Sequence, residues 1–183
     1  MLIFIFAVLI LKTNLFKMYR TIHDFLTDWE YETAGTAKVL KIITDELRAQ
    51  PIHAEVRSLE RLGWHLTQTL TEMGHKAGLF TTDPLEHEPL PDTMAELTVK
   101  YEDYAAQIAK AVHSKWTDSS LMEMVEMYGD QWSKGTILRV LINHQSHHRG
   151  QMTVIMRFLG LPVPGLYGPS KQEWVEMGMT APE

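Results

Sequence analysis

Cysteine is absent from all 183 residues. That absence excludes disulfides, thiolate metal sites, cysteine nucleophiles and CxxC redox chemistry together. Basic charge is also scarce: 17 Lys and Arg stand against 23 Asp and Glu, a formal charge of -6, and no basic run breaks the acidic balance. Nucleic acid therefore finds no electrostatic footprint here. GxSxG, GxGxxG, HExxH and P-loop patterns are missing too, which leaves serine hydrolase, nucleotide and zincin mechanisms without support. What remains is 45% hydrophobic residues and nine histidines. The first is enough to bury a core of ordinary domain size, and the placement of the second decides the chemistry.

Long apolar runs are limited to one. Met1 to Leu11 reads MLIFIFAVLIL, 11 residues, short of the roughly 20 that a bilayer span needs. No basic n-region precedes it, and Lys12 and Lys17 follow where a secretory signal would place small residues. Met18, by contrast, opens MYRTIHDFLTDWEYE, a well-formed amphipathic helix. The expectation is a natural start at Met18, weighed against anchor and signal readings. Residues 1–17 are then a dispensable leader, and 18–183 the folded domain.

Ile22, Phe25, Leu26, Trp29, Val39, Leu40, Ile43 and Leu47 recur at three-to-four spacing, which predicts a first helix interrupted by Thr33 and Thr36 and ended by Pro51. Leu59, Leu62, Leu66, Leu70 and Met73 carry a second. Thr81 to Pro91 is a polar loop with three prolines, after which Thr93 and Glu96 have capping-box spacing. Met94, Leu97, Tyr101, Tyr104, Ile108 and Val112 form the third helix. Between Trp116 and Gly135 the periodicity fails, and LMEMVEMYGDQW reads as loop. A fourth helix runs from Thr136 to Leu159, stopped by Gly160 and Pro162, and the Pro- and Gly-rich tail reads as ordered loop. Four long amphipathic helices around one core predict an all-α, four-helix bundle.

In the fourth helix Ile137, Leu141, His144, His148, Gln151, Ile155 and Phe158 follow one another at spacings of 4, 3, 4, 3, 4 and 3. They form one seam facing the interior. Each unsatisfied polar group buried there costs about 1–3 kcal/mol, so His144, His148 and Gln151 need partners. Imidazoles at i and i+4 share a helix face and can meet one cation at about 2.0–2.1 Å; core histidines satisfied by hydrogen bonds are the alternative. His65 lies on the border of the second helix's apolar stripe and can bring a third imidazole to the same interior. His147 points away from His148. His23, His53, His75, His87 and His113 suit the surface. Trp29, Thr33 and Thr36 either line a pocket opposite the histidines or, for Trp29, belong to the core. Asp24, Asp28, Glu30 and Glu32 read as solvated charge, Arg149 as a structural ion pair, and Gln151 as the residue orienting the site.

The segment LINHQSHHRGQMTVIMRFLG, followed by LPVPGLYGPS, resembles the C-terminal signature of the DinB family of DinB/YfiT-like metalloenzymes, and GWHLTQTL resembles its histidine-bearing second helix. The resemblance spans about Met18 to Trp174. It implies up-down-down-up helix order and a divalent metal held by His65, His144 and His148, the same three that the helix geometry selects. It also implies relatives that include bacillithiol-using S-transferases and mycothiol-dependent isomerases. Three imidazoles leave a dication, zinc first and nickel or another first-row ion next, with an open position. The expected function is a cytoplasmic metal-dependent enzyme that acts on a small molecule, with transfer of a low-molecular-weight thiol to an electrophile ahead of hydrolysis. The alternative is a non-catalytic metal-binding protein, dimeric, in a stress response.

Overall fold

A computed structural model describes residues 19–182; the apolar leader expected at 1–17 lies outside them. The first helix, α1 (Ile22–Leu40), is opened by a capping box. Asp24 N–H donates to Thr21 Oγ1 at 3.0 Å, and the Asp24 carboxylate accepts the Thr21 N–H at 3.1 Å. Ser58 caps α2 (Leu59–Lys76), and Thr93 with Glu96 forms the expected box on α3 (Met94–Lys115). Each such cap contributes about 0.5–2 kcal/mol. Ser133 caps α4 (Lys134–Phe158), and the tail closes on α5 (Lys171–Glu176).

Helices α1 and α2 each pack mainly against α3 and α4, so they occupy opposite corners of a square. Directions follow from the side chains that meet. Gly63 of α2 abuts Leu97 of α3, and Gly74 abuts Ile108, so α2 and α3 run the same way. Helix α1 runs against α3: the Ile22 N–H reaches Asp118 just beyond α3, while Trp29 Nε1 donates to Ala105 O and Lys41 to Glu102. Helix α4 runs against α2, with Leu62 facing Ile155 and His65 facing His144. The order is up-down-down-up. One apolar cluster runs through all four helices, including Phe25, Leu40, Leu66, Leu70, Leu97 and Ile108, each worth about 1.5–3 kcal/mol of burial. At Gly63 any side chain would press on Leu40 and Leu97, so glycine permits the helices' close approach.

Four sequence expectations change, the first being the tail read as loop, in which a Ser170–Glu173 capping box starts the short helix α5. The first helix ends at Leu40 rather than near Leu47. Ile43 is still 3% exposed, but it reaches the core from a turn whose Asp45 accepts the Met94 N–H at 2.7 Å, which draws the chain away to the start of α3. The expected loop between Trp116 and Gly135 contains a 3-10 turn over Asp118–Met122 and an antiparallel hairpin of β1 (Met124–Met127) and β2 (Asp130–Ser133). Tyr128 and Gly129, at φ 55° and 81°, supply the two left-handed residues that a two-residue hairpin turn requires. In α4, Gln151 and Phe158 leave the buried seam and are exposed, while Met152 and Met156 are buried in their place. Among the described residues no helix is long and apolar enough to cross a membrane.

Candidate metal centre

The antiparallel pairing of α2 with α4 sets His65 against His144 and His148. His65 Nε2 lies 3.1 Å from His144 Nε2, and His148 Nε2 lies 3.1 Å from the same atom. One ligand nitrogen from each ring falls within 4.8 Å of the others, and the rings meet edge to face. His65 and His144 are half-buried and His148 is buried. Burial, joined by the positive charges of neighbouring histidines and of Arg57, holds His65 and His144 at pKa values of about 4, and burial also lowers His148. All three are neutral donors at pH 7.

Gln151 fixes one tautomer. Its Oε1 lies 2.8 Å from His148 Nδ1, and its amide nitrogen lies 3.2 Å from His147 Nε2. The carbonyl accepts a proton from Nδ1, so His148 turns a bare Nε2 inward. His144 then has two inward neighbours and at most one Nε2 proton, so hydrogen bonding satisfies one 3.1 Å contact well and leaves the other poor. A single cation satisfies both. Bonds of about 2.0–2.1 Å in tetrahedral geometry separate ligand nitrogens by about 3.3 Å, close to the spacing seen. The Nδ1 of His144 is buried without a partner, so His148 has the better-supported ring of the two.

The neutrality of these rings predicts a titration. In metal-free protein the imidazole resonances of His65 and His144 should reach half-titration near pH 4 in an NMR series. Their folded-state pKa lies below the ordinary value of 6.5, so between these limits the unfolded chain binds more protons. The metal-free fold accordingly loses stability as pH falls from 6.5 towards 4, and regains it on return.

On the α1 side of the same helix lies a network that sequence reasoning reached only in part. Arg149, 2% exposed, pairs with Glu32, 7% exposed, so Glu32 is not solvated as expected. The Tyr167 hydroxyl donates to the Glu32 carboxylate at 2.9 Å, and Arg149 also reaches the Glu32 carbonyl and Thr36 Oγ1. Gln145 Oε1 accepts hydrogen bonds from Thr36 and Tyr101, both at 2.8 Å. Alternate residues of one stretch, His144 and His148 against Gln145 and Arg149, thus serve two interfaces. Trp29 is core, 2% exposed, and with Thr33 it borders a cavity between α1 and α3, across the bundle from the histidines. The five histidines assigned to the surface are exposed, as is His147.

Two cavities adjoin the cluster. A polar one of 470 Å³ is lined by His65, Glu72, Lys76 and Asp83. An apolar one of 560 Å³ is lined by His148, Gln151, Leu62 and Ile155. Residues 18–180 match the DinB family model. The chain belongs to the DinB family. A relative in Bacillus subtilis (strain 168), the uncharacterized protein YrdA, is 38% identical over 166 residues, covering 91% of this chain and 99% of its own. The crystal structure of a DinB-like protein from Bacillus cereus, also 38% identical, superposes with a TM-score of 0.74 over 82% of this chain and all of its own. A second DinB-like protein, from Bacillus subtilis, is 14% identical, with a TM-score of 0.65 over 80% of this chain and 99% of its own. At that identity the likeness concerns the fold alone.

Proposed function

We propose that His65, His144 and His148 bind one divalent metal ion, zinc first and nickel or another first-row ion next, and that this protein is a cytoplasmic metal-dependent enzyme acting on a small molecule. The convergence of three neutral imidazole nitrogens within 4.8 Å carries the reading. Among the described residues no carboxylate joins the cluster, and three ligands without a fourth are the set of a catalytic rather than a closed structural site. The bound ion supplies Lewis acidity, which favours the deprotonated form of a thiol or water brought to it. The chain's residues do the rest. Gln151 holds the His148 ring by its Nδ1 proton, the wall beside His148 offers apolar contact to a reactant, and the polar wall beside His65 offers a hydrophilic one.

Among reactions, transfer of a low-molecular-weight thiol to a small electrophile is favoured over hydrolysis. The chain has no thiol of its own, so a small-molecule thiol would supply the nucleophile that three neutral imidazoles on a metal favour as thiolate. Sulfur forms the new bond to carbon, the leaving group departs with its electron pair, and the thiol proton passes to solvent. Zinc-loaded protein given cysteine and 1-chloro-2,4-dinitrobenzene should consume free thiol faster than metal-free protein, and His148→Ala should remove the difference. Ester turnover without thiol supports hydrolysis instead. Inactivity in both assays, with zinc bound, supports a non-catalytic metal-binding role.

A further inference from the structure

Helices α1 and α3 leave a groove on the face of the bundle opposite the histidines. Two cavities, of 510 and 450 Å³, lie end to end along it and share Glu102. Leu26, Ala34, Ala106 and Ala109 border the first, and Ile42, Ile43, Met94 and Val99 border the second. Ala34 and Ala106 are exposed at the same level of the two helices, a level fixed by the contacts of Ile22 with Asp118 and of Trp29 with Ala105. The middle of the groove therefore carries only methyl groups on either bank. Val99, 65% exposed, is by contrast an apolar knob on the ridge of α3.

Charge on this face is complementary to itself. Glu30 stands one turn before Ala34 on α1, and Lys110 one turn after Ala106 on α3. Because the two helices are antiparallel, both charges lie at the same end of the groove. Both are exposed, and among the described residues neither enters an ion pair. A two-fold axis parallel to the helices keeps every residue at its own level and makes each contact twice. It carries Lys110 of one copy to Glu30 of the other, and Val99 of one copy to the cavity lined by Ile42, Ile43 and Met94 of the other. The groove and the ridge that fits it belong to the same chain.

We propose that this protein forms a two-fold dimer in which α3 of each copy lies in the α1–α3 groove of the other. The alanines allow the close approach, Val99 fills the cavity at one end, and Glu30 pairs with Lys110 at the other. From Leu26 to Ile42 the face is about 24 Å long, and two helices make it about 20 Å wide. Each copy then contributes roughly 500 Å², for a total of about 1,000 Å², the size at which specific interfaces begin. The histidines stay open on the far side, so the dimer is independent of the metal reading.

Sedimentation velocity on the full chain at about 100 μM should give a dimer. Glu30→Lys and Lys110→Glu each set like charges together, and each should raise the dimer dissociation constant by about tenfold or more. Combining them restores the pair with its signs exchanged and should return the constant to within about threefold of its original value. Neither side chain enters the core, so helicity should be unchanged in all three variants. Their zinc content should equal that of the unaltered protein, which separates this outcome from that of the metal site. A monomer at that concentration would overturn the proposal. So would a dimer indifferent to both reversals, which would put the interface on another face, or a double variant as weak as the single ones. A full chain that is monomeric but dimerises once residues 1–17 are removed would give the groove to that leader instead.

Discussion

Replacing both His144 and His148 with alanine should reduce bound zinc from about one ion per chain to background, because a single imidazole from α2 cannot hold a dication that needs three or four ligands. The loss should appear in stability as well as in metal analysis. Zinc at about a hundredfold over its dissociation constant adds about 2.7 kcal/mol to a fold that binds it only when native, and the double variant should gain none of this. Helicity should persist, since both positions are mid-helix and alanine is the best helix former. A far-UV spectrum that stays helical while metal content falls assigns the loss to the site rather than to unfolding. Full zinc retention by the double variant would mean that the three nitrogens converge for a reason other than metal, and the hydrogen-bonded histidine cluster would be the better account.

The convergence of the three histidines was legible because its signal is periodic and local. His144 and His148 are one turn apart on a helix whose apolar ends declare which face is inward, and His65 sits at the edge of an equally clear stripe. The seam's later members misled for a geometric reason. A strict seven-residue repeat drifts about 20° per heptad on a straight helix of 3.6 residues per turn, and from His144 to Phe158 two heptads pass. Gln151 and Phe158 have rotated outward by then, Ile155 remains inside, and Met152 and Met156 take the vacated face. The hairpin was hidden by its turn: Tyr128-Gly129 is not the Asn-Gly or Asp-Gly pair that announces two left-handed residues. The end of α1 was hidden by the opposite effect, since Ile43 is buried without being helical. Glu32 could not be read at all. Its partner is 117 positions away, and nothing on its own helix distinguishes it from Glu30, which is exposed.

That partner gives the largest expected effect on stability. Arg149→Met should destabilise the fold by about 3–5 kcal/mol, because it leaves the Glu32 carboxylate buried without its countercharge. Tyr167 continues to donate to that carboxylate, but a neutral hydroxyl cannot offset a full charge. Glu32→Leu should cost a similar amount by stranding the guanidinium. Combining the two removes both charges, and the double variant should recover most of the loss, since a buried ion pair replaced by apolar groups of similar volume is often near neutral. The cycle therefore yields a large coupling energy, measurable from urea midpoints. Metal content supplies the decisive contrast. The pair faces α1 while His144 and His148 face α2, so the double variant should still bind zinc. Retained stability with lost zinc would instead mean that the Arg149 clamp sets the rotation of α4 on which the histidines depend. The segments HHRGQ and LYGPS meet at Glu32 through Arg149 and Tyr167, so together they hold α1, α4 and the tail.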